Sequence, residues 1–207
     1  MNTESLDLIA QTFAEGASLR QLCSDQLTTP LLKANDIVCE CLQSGGKVLA
    51  CGNGGSAADA QHFAGELVNR FTFDRPACAA IALTHDASVI TSIANDMGFE
   101  HVFSRQVEAL GRAGDVLLVI STSGNSANIL AAVDVAAKLG IRVIALTGSD
   151  GGRLQAHEAV DVNLHVPHSS TPRVQEIHIT CLHILCDLLD RSLFAQQTGT
   201  RVKTETA

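Results

Sequence analysis

Asp59, His62 and Glu66 recur at three- and four-residue intervals within GGSAADAQHFAGEL. On a helix, Asp59 and Glu66 point within roughly 20° of one direction, and His62 lies one turn before Glu66 on nearly the same stripe. His-x-x-x-Glu at this spacing can hold a divalent metal, or can set a carboxylate base beside an imidazole. A solvated helix face with an ordinary i,i+4 pair uses the same residues, and the chemical reading gains because this helix starts at a glycine-rich turn. A second group, Gln175, Glu176, His178 and His183, occupies the last apolar-periodic stretch. His183 sits within Cys181-Leu182-His183-Ile184-Leu185, a polar group in an apolar setting that a satisfied structural histidine would also explain. Gln175 and His183 would stand ~12 Å apart along a helix. Both serve one site only if their side chains lean toward each other around a ligand, or if different subunits supply them.

Two turns complete the set: Cys51-Gly52-Asn53-Gly54-Gly55-Ser56 after the run KVLAC, and Ser121-Thr122-Ser123-Gly124-Asn125-Ser126 after DVLLVI. Small residues let the backbone approach an anion, and the helix that follows offers unpaired N–H groups and a partial positive charge. Four hydroxyls within the six residues of the second turn suit the terminal oxygens of a phosphomonoester. Ordinary tight turns use the same residues, but both segments share a place directly after a buried strand. Gly52-x-Gly54 starts like a dinucleotide fingerprint, yet position 57 is Ala and no convincing ribose-binding acid follows about 20 residues on. No G-K-[ST] triplet exists, which excludes a Walker A loop.

These groups need elements to hold them. Five short apolar runs, Lys47–Cys51, Cys78–Leu83, Asp115–Ile120, Arg142–Leu146 and Val160–Val166, alternate with helical patterns. Most are continuous rather than alternating, as strands buried on both faces are. Strands alternating with helices predict a parallel sheet covered on both sides, with ligands beyond its carboxyl edge. The first 44 residues read as two amphipathic helices, through Leu6, Ile9 and Phe13 and through Leu31 to Leu42, parted near Thr28, Thr29 and Pro30 and stopped by Gly45 and Gly46. A long helix is expected over Arg173–Leu193, with Thr171 as N-cap and Pro172 at its first position. Residues 1–194 are expected to form one domain, with 195–207 a flexible tail.

Composition narrows the ligand. Fourteen Lys and Arg against 22 Asp and Glu give a formal charge of −8, the wrong sign for a protein held by a phosphate backbone. Trp and Tyr are absent, so an aromatic platform for bases is not expected. An apolar share of 46% against 17% charged residues excludes wholesale disorder. No run approaches a membrane span and no signal-peptide pattern opens the chain, which predicts a cytoplasmic protein. Seven cysteines without a C-x-x-C pair are expected to be free thiols used as small apolar residues.

CGNGGSAADAQHFAGEL, TSIANDMGFEHVFSRQVEALGRAGDVLLVISTSGNSAN, VIALTGSDGG and RVQEIHITCLHILCDLLD together resemble the sugar isomerase (SIS) domain and, within it, the phosphoheptose isomerases. The resemblance spans nearly all of residues 1–194. It implies an α/β three-layer sandwich of flavodoxin-like type, with a five-stranded parallel sheet between helices, in a homotetramer with active sites at subunit boundaries. The first 44 residues would then pack on this body or on a partner subunit. By resemblance, the sugar-phosphate site falls on Asn53, Gly54, Gly55, Asn95, Asp96, Ser121, Thr122, Ser123, Ser126 and Gln175. Zinc ligands match His62, Glu66, Gln175 and His183, and the acid/base pair matches Glu66 and His183. Glu66 therefore has two candidate roles, base and ligand. Asp59 matches a family acid, and Gly65 stands where relatives carry a larger residue.

The implied activity is aldose–ketose isomerisation of sedoheptulose 7-phosphate to D-glycero-D-manno-heptose 7-phosphate through an enediol, the first step toward nucleotide-activated heptose. A tetrameric adaptor of the same fold, the replication initiator-associating protein, is the closest rival; its positions matching Glu66 and His183 lack the catalytic pair that this sequence keeps. A sugar-phosphate sensor is the third reading, and this sequence shows no appended DNA-binding segment to favour it. Neither a membrane nor nucleic acid is an expected partner.

Overall fold

The computed structural model describes residues 2–194; the expected tail lies outside the described residues. The five apolar runs form strands β1 (Val48–Gly52), β2 (Ala80–Ala82), β3 (Val116–Ser121), β4 (Arg142–Thr147) and β5 (Val162–His165). All pair in parallel, in the order β2-β1-β3-β4-β5. Successive side chains leave a strand on opposite faces, and the sequence fills both. Val48, Ala50, Val116, Leu118, Ile120, Ile144 and Leu146 enter one core, while Leu49, Cys51, Leu117, Val119, Val143 and Ala145 enter the other.

Helices α1 (Thr3–Gln43), α2 (Gly55–Val68) and α7 (Thr171–Phe194) cover the first face; α3 (Ala87–Met97), α4 (Ser104–Leu110) and α5 (Ala127–Leu139) cover the second. The short α6 (Gly152–Gln155) follows β4 and buries Leu154 in the second core. This is the three-layer arrangement expected from the sequence. No described helix is long and apolar enough to cross a membrane.

The N-terminal region departs from expectation: one helix of 41 residues runs through Pro30. Proline removes the N–H that would reach the carbonyl of Gln26, but Gln26 is exposed, where water can serve that oxygen. Leu19, Cys23, Leu27, Leu31, Ala34 and Val38 keep one phase across the proline, and all are buried in the core shared with α7. Continuous packing along that stripe outweighs the local breaker. Pro30→Ala should therefore raise stability by about 1–3 kcal/mol, read as a higher denaturation midpoint; an unchanged or lower midpoint would show that the proline costs this helix nothing. At the other end of the chain α7 begins at Thr171 itself, and the Val174 N–H donates to the Ser170 carbonyl, so the cap falls one residue earlier than Thr171.

All seven cysteines are free and buried, as expected. Burial pushes the Cys41 thiol up to about 11 and those of Cys181 and Cys186 up to about 12, which keeps them inert as nucleophiles.

Candidate active site

Strands β1 and β3 are neighbours, with Gly52 paired to Ile120, yet β1 leads outward to β2 and β3 leads the other way to β4. Their carboxyl ends thus form the switch point of the sheet, where open parallel sheets have a crevice. Both glycine-rich turns leave from it. In the first, Gly54 caps α2 with φ +55°, a conformation that side chains resist. No side chain caps that helix start; the Ser56 and Ala57 N–H groups donate to the Asn53 and Gly54 carbonyls, which leaves the N–H groups of Gly54 and Gly55 to face an anion.

In the second turn Ser121 is buried, with its Oγ 3.0 Å from Ser126 Oγ; Thr122 is half-buried and Ser123 exposed. The Asn125 N–H donates to Ser123 Oγ at 3.2 Å, and Ser126 begins α5 without its hydroxyl capping the helix. Gly124 has φ +64°, and a Cβ there would strike the carbonyl oxygen of Gly151. The loop before α6 therefore backs the turn and fixes its shape. Asn53 and Asn128 exchange amide hydrogen bonds of 2.9 and 2.8 Å, which ties the two turns together. Asn128 was not singled out in the sequence; its only sign there is a position in the first turn of α5.

Helices α2 and α7 lie side by side on one face and run in the same direction from this edge. Their seam has a ladder of contacts. At the top, a Cβ on Gly55 would meet the Gln175 amide at 2.7 Å, so Gln175 lies directly over the start of α2. Seven residues down α2 and eight down α7, His62 Nε2 stands 2.9 Å from His183 Nε2. One of these nitrogens must donate to the other, so at least one ring is not protonated there. Glu66 Oε1 lies 3.4 Å from His62 Nε2, and its side chain is 25% exposed. Phe71, in the segment after α2, stacks on the His183 ring with centroids 5.6 Å apart. The sequence reading missed Phe71, whose only signal was an aromatic residue in a polar loop.

Asp59 belongs to the same cluster. Burial pushes its carboxyl up, partly opposed by His62 and His183, and its Oδ2 is buried without a hydrogen-bond partner among the described residues. His178 points the other way: it is fully buried, with Nε2 3.1 Å from the Thr147 carbonyl. Glu176 pairs with Arg173 at 2.8 Å. Asn95 and Asp96 are exposed near the end of α3, where the Asn95 amide donates to the Asp96 carboxylate at 2.7 Å. Among the described residues, no hydrogen bond joins that pair to the seam. One chain thus gathers His62, Glu66 and His183, keeps Gln175 at the turn above them, and leaves Asn95 and Asp96 apart. The cluster is open to solvent: the His62 side chain is 45% exposed.

Two imidazoles and a carboxylate are a donor set that suits zinc. Among the described residues no three His, Cys, Asp or Glu side chains stand at ready-made ligand spacing. His62 Nε2 and His183 Nε2 share a hydrogen bond, and a nitrogen that shares a proton must release it before it binds a metal.

Comparison with known proteins finds relatives over most of the chain. Residues 13–148 match the SIS domain family model. The phosphoheptose isomerase of Neisseria gonorrhoeae (strain NCCP11945) is 53% identical over 186 residues, covering 89% of this chain and 94% of that protein. That of Desulfovibrio desulfuricans is 54% identical over 196 residues, covering 94% and 91%. The solved structure of a phosphoheptose isomerase from Francisella tularensis superposes with a TM-score of 0.88 at 44% identity, covering 92% of this chain and 100% of that one.

Proposed function

The chain belongs to the SIS-domain family and, within it, to the phosphoheptose isomerases, and from this premise we propose that it interconverts sedoheptulose 7-phosphate and D-glycero-D-manno-heptose 7-phosphate with Glu66 and His183 as the acid/base pair. The observation that carries the assignment is the contact of His62 with His183 at 2.9 Å with the Glu66 carboxylate 3.4 Å from His62. An adaptor has no use for such a cluster.

The reaction moves one hydrogen between adjacent carbons. Glu66 takes a proton from C1 of the ketose and returns it to C2, while His183 moves a proton between the two oxygens, so that the C2 carbonyl becomes a hydroxyl and the C1 hydroxyl a carbonyl. Phe71 holds the His183 ring in plane for that transfer. The phosphate sits on the two turns at the switch point. Gly55 and His62 are roughly 10 Å apart along α2, so a ligand anchored at the turn must be extended to bring its far carbons to Glu66. Remote binding energy of this kind holds the reacting atoms in register. Asn53, Gly54, Gly55, Ser121, Thr122, Ser123, Ser126 and Gln175 serve as binding residues in this reading, and Asn95 and Asp96 reach substrate from a neighbouring protomer.

Ser121→Ala combined with Ser123→Ala should raise KM by about tenfold or more, as expected for lost hydrogen bonds to a charged group, and change kcat less. An unchanged KM would remove this turn from the binding site.

His62, Glu66 and His183 would hold one zinc ion per subunit, joined by Gln175 only if its side chain leans down the seam or a neighbouring protomer supplies it. When bound, zinc would polarise the carbonyl and offset charge on the enediolate.

The assembly is read as a homotetramer. Leu6, Leu8, Ile9 and Phe13 are exposed on the first turns of α1, Phe13 by 77%. An apolar groove of about 380 Å³ between α1 and α7, lined by Leu27, Leu31, Leu32, Ile177 and Ile184, lies further along the same helix. A second protomer laid there would cover apolar area that water disfavours. A cytoplasmic location accords with seven unpaired thiols, which suit a reducing compartment.

Purified protein incubated with sedoheptulose 7-phosphate should form the aldose; binding without turnover would favour a sensor, and neither binding nor turnover would favour an adaptor.

A further inference from the structure

Below the His62–His183 contact, the α2–α7 seam has one more rung. Arg75 lies in the segment between α2 and β2, with its side chain fully buried. Its Nε donates to Asp190 Oδ1 at 2.7 Å, its Nη2 to the Glu66 carbonyl at 2.8 Å, and its Nη1 to the Leu67 carbonyl at 2.8 Å and the Pro76 carbonyl at 3.0 Å. We propose that Arg75, held by Asp190, is a positioning residue that sets the Glu66 carboxylate against the His183 imidazole. The inference rests on reading those two groups as the acid/base pair.

Three connections meet at this guanidinium. The carbonyls of Glu66 and Leu67 belong to the last turn of α2, where a helix has no donors of its own, so Arg75 grips the backbone of Glu66 directly. Asp190 follows His183 by seven residues, two turns along the same face of α7. Phe71, four residues before Arg75, stacks on His183, so the segment that Arg75 anchors also orients the imidazole. One planar group thus fixes the helix that carries the base, the helix that carries the imidazole, and the aromatic ring between them.

Stability alone does not call for this device. A buried ion pair stabilises little beyond an apolar pair of the same volume, and α2 already packs on α7 through Phe63, Leu67, Leu182, Cys186 and Leu189 in one core. An apolar pair cannot hold the Glu66 carbonyl in a set direction, whereas the rigid fork of arginine does. Proton transfer depends on that direction, since a misplacement of about 1 Å can cost a hundredfold in rate.

The test compares Arg75→Lys, which keeps the charge for Asp190 but loses the fork, with the double variant Arg75→Met, Asp190→Leu, which removes both charges and keeps the volume. Both are measured as kcat per folded subunit, as KM, and as a thermal midpoint beside Arg75→Met alone. The expected result is a fall in kcat of at least about fivefold in both, with KM changed by less than that factor. The double variant should also recover midpoint relative to Arg75→Met without recovering kcat. A smaller loss of kcat, or kcat that returns together with the midpoint, overturns the inference and leaves Arg75 a structural residue. Glu66→Gln in the same assay separates the two levels. Loss of turnover there with intact Arg75 variants sinks the positioning role alone; retained turnover sinks the acid/base reading beneath it.

Discussion

Glu66→Gln should lower kcat by about 10²-fold or more, the range expected when a general base is lost, while KM for the sugar phosphate stays within a few-fold. The amide has the size of the carboxylate and can still sit beside His62, so α2 and the turn at its start need not move. What it cannot do is accept a proton from carbon. The phosphate turns lie at the other end of the seam, where Gln175 overlies Gly55, and their hydrogen bonds do not involve position 66. A substitution that removed binding and turnover together would instead point to a collapsed seam, which a thermal midpoint would reveal.

Acid should destabilise the protein through His178, which is buried as a neutral ring. Burial lowers its pKa from the usual 6.5 to about 4, partly offset by the hydrogen bond to the Thr147 carbonyl. Its Nδ1 is buried with no hydrogen-bond partner among the described residues, so the ring is accommodated as the neutral form. The folded value lies below the unfolded one, so the proton binds the unfolded chain more tightly. The stabilisation is therefore complete above pH 6.5 and is lost as pH falls from 6.5 toward 4. Between pH 7 and pH 4.5 the loss should be about 2–3 kcal/mol, or ~5–10 °C in Tm for a chain of this length. Carboxylates also titrate in acid, and His178→Gln isolates the histidine: the variant should keep their share of the acid sensitivity and lose this one. Identical pH profiles of Tm for the two proteins would remove His178 from that role.

The sheet was legible because strands buried on both faces must be apolar through their centres, and VLLVI and VIAL are. The turns were legible for a related reason: glycine and hydroxyl residues directly after such runs stand out. His62 and Glu66 could be placed together because four residues make one helical turn. Their meeting with His183 was a different matter. It depends on α2 and α7 lying parallel and in register, so that Gly55 faces Gln175 and His62 faces His183, and no local pattern encodes the register of two helices more than a hundred residues apart. The same holds for Arg75 and Asp190 and for Asn53 and Asn128, whose contacts are long-range and whose residue types are ordinary. Pro30 misled for the opposite reason. It is a strong local signal, but the apolar stripe that keeps its phase from Leu19 to Val38 is a stronger one when a partner helix lies along it.

The most direct measurement follows the hydrogen itself. Sedoheptulose 7-phosphate is turned over in D2O by the wild-type protein and by Glu66→Gln, and NMR reads deuterium at C2 of the aldose and at C1 of the recovered ketose. A carboxylate that carries the proton between the two carbons exchanges it with solvent, so the wild-type products should acquire deuterium at both positions, and the variant should give neither product nor label. Aldose formed equally fast by the variant, with the same label as the wild-type product, would mean that the hydrogen moves without the carboxylate at position 66.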